Sequence, residues 1–389
     1  MNHQKLPLVE LKEKVENQTS IEIWQQPEIW KETADKFFKE SGYIRQFINK
    51  ALAEVDLIVF TGAGTSSFIG HSLSGTYFRN FKKTCRSIPT TDIVTFPDHY
   101  FNLTQSYLVI SFARSGNSPE SVATLELADR QSKKCFHLII TCDASGALAS
   151  YQSKNPTMVF TLPQGTNDKS LAMTGSYSSM LLSGLMVAMS SRKNDKELKD
   201  RIDLSIRLTN RALKKEIGII KSIAQKDFKR AVFLGSGSLY GTATEAALKL
   251  QELTNGNVIC KFDTFLGFRH GPKVVINETT LVVYFFNNDP YVHQYEMDLL
   301  HDMERGFQPS CQLGISEHAV NSNQLDYQIN ISNETEHLSN DFQALNFIVL
   351  AQLLGFYKSL QLGLNPDNPS LNGAISRVVQ GVNIYPYTK

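Results

Sequence analysis

Three groups of residues in this chain have the types and spacing to do chemistry. Glu245, Lys249 and Glu252 lie in TATEAALKLQELTNG (242–256). At a 3.6-residue period they fall within about 60° of one another, with Ala243, Ala246, Ala247, Leu250 and Leu253 facing the other way. Two carboxylates beside one ammonium can hold and move a proton. His270 stands in FLGFRHGPK (265–273), between Arg269 and Gly271-Pro272, which predicts a loop. A loop imidazole is readily used near neutral pH. The third group is SFARSGNSPES (111–121), with Ser111, Ser115, Asn117, Ser118 and Ser121 around Gly116. It follows an apolar run and precedes a predicted helix, VATLELADRQ. Backbone N–H groups at a helix start, joined by hydroxyls, cradle an anion. The glycine lets the backbone come close.

Each group also has a plainer reading. Glu245 and Lys249 could be a surface i,i+4 pair worth a few tenths of a kcal/mol. The serines could form a turn with a helix cap, and His270 could be structural. Position argues for chemistry. The Glu–Lys–Glu helix follows a glycine loop at a strand end, where open α/β sheets place ligands.

The elements that must position these groups show as an internal repeat. LIVFTGAG (57–64) resembles AVFLGSG (231–237), so Gly62 and Gly64 match Gly235 and Gly237 at an offset of 173 residues. At that offset YLVISF (107–112) falls on TLVVYF (280–285). These runs read as buried parallel strands with helical stretches between them. Two copies of an α/β unit follow, each a parallel sheet covered by helices on both faces. The second copy has YFFNNDPY (284–291) where the first has its serines. The fold does not need the serines there, so a ligand does. TGAGTSS (61–67) adds Thr65, Ser66 and Ser67 at a neighbouring strand end, and two hydroxyl-rich loops suit one phosphate. Neither glycine loop is a nucleotide fingerprint: Gly62-x-Gly64 lacks the third glycine at the right spacing, and no GKS or GKT follows.

The 389 residues are too many for one ordinary core, so two domains with extensions are expected. Residues 1–45 read as a helical arm, with Thr19-Ser20 a possible cap. The units are placed at 46–210 and 211–370, with a tail at 371–389. The charged segment 195–228 is helical in pattern, and Pro366 and Pro369 mark a loop. A hydrophobic share of 42%, a charged share of 20% and a net charge of +1 fit a globular protein with no broad footprint for nucleic acid or an anionic membrane. The start MNHQKLPLVELKEK has no signal-peptide core, and Met180–Met189 is too short to span a bilayer. Five cysteines without a CxxC fit a reducing, cytoplasmic setting. His3, His71, His99, His137, His293, His301, His318 and His337 form no HExxH or other metal pattern, so no metal is expected.

Taken in order, GAGTSS (62–67), ARSGNSPES (113–121), KSLAMTGSYS (169–178), EAALKLQE (245–252), FRHGP (268–272) and NGAISRVVQGVNIYP (372–386) resemble the tandem sugar-isomerase (SIS) domain proteins. The resemblance is closest to the AgaS family of galactosamine-6-phosphate deaminases and tagatose-6-phosphate isomerases. It extends to the isomerase half of glucosamine-6-phosphate synthase, and it covers roughly residues 45–389.

The resemblance implies two flavodoxin-like, three-layer αβα domains with five-stranded, mostly parallel sheets. It implies a phosphorylated amino sugar as ligand and neither cofactor nor metal. Ser66, Ser115 and Ser118 would hold the phosphate, with Arg114 and Ser111 close by. Leu171 and Ala172 would line the sugar through their backbones. Glu252 would move a proton between C2 and C1, supported by Lys249 and Glu245. His270 would assist ring opening from the neighbouring subunit of a homodimer, or of a tetramer built from dimers. Arg377 falls near the place of a tail lysine in the synthases. A chain starting Met1-Asn2-His3 leaves no room for their glutaminase domain, so release of ammonia, or no ammonia at all, is expected. The competing expectations are a simple ketose/aldose isomerase and a non-catalytic sugar-phosphate regulator.

Overall fold

The computed structural model describes residues 17–190, 194–306, 308–333, 335–379 and 381–388. Residues 1–16 of the expected arm, His3 among them, lie outside the described residues.

The apolar runs form two five-stranded sheets, with every strand pair parallel. In the first, β1 (Leu57–Thr61), β2 (Thr84–Ser87), β3 (Ser106–Ala113), β4 (Lys134–Thr141) and β5 (Thr157–Thr161) lie in the order β2-β1-β3-β4-β5. In the second, β6 (Arg230–Gly235), β7 (Ile259–Asp263), β8 (Thr280–Phe285), β9 (Cys311–Ser316) and β10 (Tyr327–Asn330) repeat that order as β7-β6-β8-β9-β10. The 173-residue offset holds at the level of single contacts. Phe60 stacks near Phe112 at 6.4 Å, and their counterparts Phe233 and Phe285 stack at 6.3 Å. Gly64 and Gly237 end the two glycine loops at φ 54° and 60°, a left-handed backbone that disfavours any side chain.

Side chains alternate along the strands, because successive Cβ atoms point to opposite sheet faces. Ile58 and Phe60 of β1, and Ala231 and Phe233 of β6, join one continuous core between the two sheets. Val59 and Val109 face an outer core on the first sheet, and Val232 and Val282 one on the second. The halves therefore share their largest core. Two helices also run through expected domain borders. α2 (Gln26–Glu54) crosses 45/46, and a later helix, Asp195–Lys215, crosses 210/211.

The arm begins with α1 (Gln18–Trp24). Thr19 and Ser20 do not cap it, since Asn17 occupies the cap position. The Asp367 carboxylate instead accepts from the backbone N–H groups of Gln18 and Thr19 and from the Thr19 hydroxyl. Helix α2 packs by Trp30, whose indole N–H donates to the Ser178 hydroxyl at 2.8 Å. The first half adds α3 (Thr65–Phe81), α4 (Pro119–Gln131) and α5 (Gly175–Ser190), the last buried at every residue. The charged segment forms α6 (Asp195–Lys215) and α7 (Ile217–Ala224), divided at Glu216. The second half adds α8 (Ser238–Leu253), α9 (Pro290–Asp302) and α10 (Asn340–Gln361). No helix among the described residues is long and apolar enough to cross a membrane.

Helix α8 belongs to the second half but lies against α3 of the first and against α10. Gly241 allows the crossing: a Cβ there would sit 2.3 Å from Ser72 Oγ and 2.8 Å from the Phe68 carbonyl oxygen. Ser72 Oγ donates to the Ser238 carbonyl at 2.7 Å, which fixes the start of α8.

Candidate active site

A cleft of about 560 Å³ opens where the loops after β1 and β3 meet the carboxyl end of α8. This is the strand-order switch point of the first sheet, the place where such sheets bind ligands. Ser66, Ser115, Ser118 and Ser121 line one side, Lys249 and Glu252 another, and tail residues 373–379 a third. The cleft therefore meets α8 at the far end from its glycine loop. Fifteen residues of helix separate Gly237 from Glu252, about 22 Å at 1.5 Å per residue. The helix does begin at the second glycine loop, as the sequence argument has it, but its other end is the one that lines the cleft.

Local structure frees the serines for a ligand. Ser118 is the N-cap of α4, yet its side chain makes no cap hydrogen bond. The plain cap reading therefore lacks its defining hydrogen bond at Ser118. Arg114 reaches inward. Its Nη1 donates to the carbonyls of Ser170 and Leu171, both at 3.1 Å, and its Nη2 to the Arg377 carbonyl at 2.5 Å. Arg377 in turn donates to the Asp168 carbonyl and to Asn167 Oδ1. Neither guanidinium has a carboxylate ion pair among the described residues, so positive charge is left over at the serine end. That charge suits a phosphate dianion.

Across the cleft, Lys249 is 1% exposed, ion-paired to Glu252 and 3.5 Å from Glu245. Burial works to lower the Lys249 pKa, but the two carboxylates outweigh it and the net shift is upward, so the ammonium persists. Glu252 is partly exposed to the cleft. Glu245 is fully buried, with the Lys249 ammonium and the Thr65 side chain among its polar neighbours. Burial pushes its carboxyl up to about 8, helped by Glu252 and opposed by Lys249. The surface-pair reading of this helix is thereby overturned. α8 lies between two helices, and both Glu245 and Lys249 are buried there.

Glu245 makes stability depend on pH with a definite sign. Its folded-state pKa lies above the ordinary value of 4.5. Stability from the neutral acid is complete below the ordinary value and is lost as pH rises through about 8. Glu245→Gln should not show that loss. Urea unfolding at pH 5 and pH 8 should show wild type losing several kcal/mol, on the order of 1.4 per pH unit, relative to the variant. An equal pH response in the two proteins would contradict the assignment.

Over 376 residues the chain is 37% identical to the protein named D-galactosamine-6-phosphate deaminase AgaS of Shewanella sp. strain ANA-3, covering 95% of this chain and 92% of that one. The chain belongs to the AgaS family. An Escherichia coli member of that name is 38% identical over 375 residues, covering 95% and 96% of the two chains. The SIS domain family matches residues 51–190. A crystal structure named tagatose-6-phosphate ketose/aldose isomerase, from Escherichia coli, superposes with a TM-score of 0.85 at 34% identity, covering 96% of this chain and 98% of that one. The two parallel sheets are thus two SIS units, with a helical arm before them.

Within this AgaS-family chain, the cleft gathers Ser66, Arg114, Ser115, Ser118, Leu171, Lys249, Glu252 and Arg377. Four other expected residues lie outside its lining. Ser111 is 4% exposed, with a buried hydroxyl that has no partner. Ala172 is fully buried, its carbonyl accepting from Ser170 Oγ. Glu245 stands behind Lys249. His270 is exposed and away from the cleft of its own chain. Leu171 lines the cleft, but its backbone is engaged. Its N–H donates to the Asp367 carbonyl and its own carbonyl accepts from Arg114.

Sequence reasoning missed the carboxylates that hold the 167–174 segment. Asp168 accepts from the N–H groups of Thr174, Gly175 and Ser176 at the start of α5, but it stands seven residues before Gly175, too far back to read as a cap. Glu22 of the arm had no local signal either. It is 4% exposed and accepts from the N–H groups of Lys169 and Ser170 and from Ser170 Oγ. Burial, then Asp168, pushes its pKa up. Glu22→Ala would leave these donors buried and unpaired. We expect about 1–3 kcal/mol less stability in urea unfolding, with Glu22→Gln recovering part of it. No change in the alanine variant would remove the arm from the support of this segment.

Proposed function

We propose that this chain converts D-galactosamine 6-phosphate and water to D-tagatose 6-phosphate and ammonia. The observation that carries the reading is one cleft with hydroxyls at one end, beside two guanidiniums that have no carboxylate ion pair among the described residues, and a Lys249–Glu252 pair at the other. The relatives named as deaminases support the choice of sugar.

Ser66, Ser115 and Ser118 hold the phosphate, with Arg114 and Arg377 supplying the field. This fixes the C1–C2 end of the sugar near α8. His270 of a neighbouring subunit passes a proton between O1 and O5, and the ring opens. Glu252, as a carboxylate, takes the C2 proton and returns it to C1. Lys249 stabilises the negative charge that develops on oxygen. Glu245, neutral behind it, keeps the carboxylate charge of the pair on Glu252. The resulting C2 imine is hydrolysed by water, which supplies the ketone oxygen as ammonia leaves. None of these steps uses an organic cofactor or a metal. A phosphorylated substrate is retained within cells, so the cytoplasm is the proposed place of action.

The deciding assay measures ammonia release from galactosamine 6-phosphate beside ketose–aldose exchange of tagatose 6-phosphate. Stoichiometric ammonia supports the deaminase. Exchange without ammonia favours the isomerase, the reading supported by the name of the solved Escherichia coli relative. Binding with neither product favours a regulator.

Supply of His270 across a dimer has its own test. Glu252→Gln and His270→Ala should each be inactive alone. Mixed in equal amounts through unfolding and refolding, they should regain about a quarter of wild-type activity, since half of the dimers then hold one intact site. No recovery, with dimers formed, would place the histidine's role within one chain or nowhere.

A further inference from the structure

Outside the cleft, the fold brings together three ligand-type side chains that show no metal pattern along the chain. Glu317 and His318 directly follow β9, and His337 precedes Ser339, the N-cap of α10. His318 Nε2 lies 3.4 Å from His337 Nδ1 and 3.4 Å from Glu317 Oε1. All three ligand atoms fall within 4.8 Å of one another. As hydrogen bonds, both 3.4 Å contacts are long. As separations between ligands of one ion they fit well. Two atoms each roughly 2.0–2.1 Å from a common centre and 3.4 Å apart subtend about 110°, the tetrahedral angle.

The surroundings hold these groups in place. Glu317 is 2% exposed. Its Oε1 accepts from the Leu338 backbone N–H and its Oε2 from Asn288 Nδ2, contacts of the kind that orient a ligating carboxylate. Ser316 Oγ donates to the His318 carbonyl at 2.6 Å and fixes the loop. The two imidazoles meet edge to face, with centroids 5.3 Å apart, so they do not stack away from a shared point. Both histidines reach solvent, which gives an ion access and a water for the fourth position.

We propose that Glu317, His318 and His337 bind one divalent transition-metal ion, with zinc as the best fit. Two imidazoles and one carboxylate select zinc, cobalt or nickel over magnesium or calcium, which prefer all-oxygen sites. The ion ties the end of β9 to the approach of α10, and α10 packs on the catalytic helix α8. The site is a structural staple that shares no residue with the cleft. A second grouping, Asp129 with Cys135 and His137, does not compare. The Asp129 carboxylate already accepts from His137, Tyr151, Ser153 and Asn155, so its lone pairs are taken.

The full chain, stripped with EDTA, is titrated with zinc chloride by calorimetry. One ion per chain is expected, with a raised melting temperature. His318→Ala or His337→Ala should weaken binding at least about ten-fold, and the double variant should abolish it. Turnover should be unchanged in each. Cobalt(II) on the wild-type chain gives a readout that needs no variant: the intense visible absorption of a four-coordinate centre is expected. The proposal is overturned if wild type takes up no zinc, if the double variant binds it as wild type does, or if cobalt gives only the weak spectrum of a six-coordinate ion.

Discussion

Glu252→Gln should lower kcat by about 10²–10⁴-fold while leaving sugar-phosphate binding nearly intact. The amide keeps the size and most of the contacts of the carboxylate. It cannot accept the C2 proton, and it no longer pairs with the charge on Lys249. A rate loss of that size corresponds to roughly 3–5 kcal/mol in the transition state. Binding should survive because the proposed phosphate grip lies at the other end of the cleft. Single-turnover ammonia release with calorimetric titration of the sugar phosphate checks both halves. Activity within a few-fold of wild type would remove Glu252 as the base.

The second large effect is expected from Ser115→Ala combined with Ser118→Ala. Hydrogen bonds to a charged partner are worth about 1.5–3 kcal/mol each. Losing two should raise KM for the phosphorylated sugar about 100-fold or more, with a smaller change in kcat. Stability should hardly move, because neither hydroxyl supports the fold. Ser118 makes no cap hydrogen bond, and Ser115 Oγ only accepts a long contact of 3.3 Å from the Asn117 N–H. An unchanged KM would put the phosphate elsewhere. A large fall in melting temperature with unchanged KM would restore the plain reading of a serine-rich turn.

The grouping of Glu245, Lys249 and Glu252 on one side of a helix was legible in the sequence, because helical spacing alone brings them together. Their inequality was not. Glu245 is sealed between helices and driven toward the neutral acid, while Glu252, two turns on, opens to the cleft. That difference comes from where α3 and α10 press on α8, and the 245–252 segment carries no trace of it. His270 shows a related limit. It stands in a turn, as the sequence predicts, but within one chain it lies outside the cleft lining. Glu22 was invisible as a site-supporting residue because its importance lies in contacts with residues about 147 positions away.

The sequence by itself determined the doubling of the fold, the parallel sheets and the serine loops. Those features depend on periodicity and backbone demands within a few residues, and the 173-residue offset repeats them down to the stacked Phe60–Phe112 and Phe233–Phe285 pairs. Only the tertiary structure decided which end of α8 meets the first sheet, and which acidic groups lose their water. Both follow from packing across the shared core, where Gly241 lets α8 close on α3. Burial free energy is a property of the assembled neighbours rather than of any local run of residues.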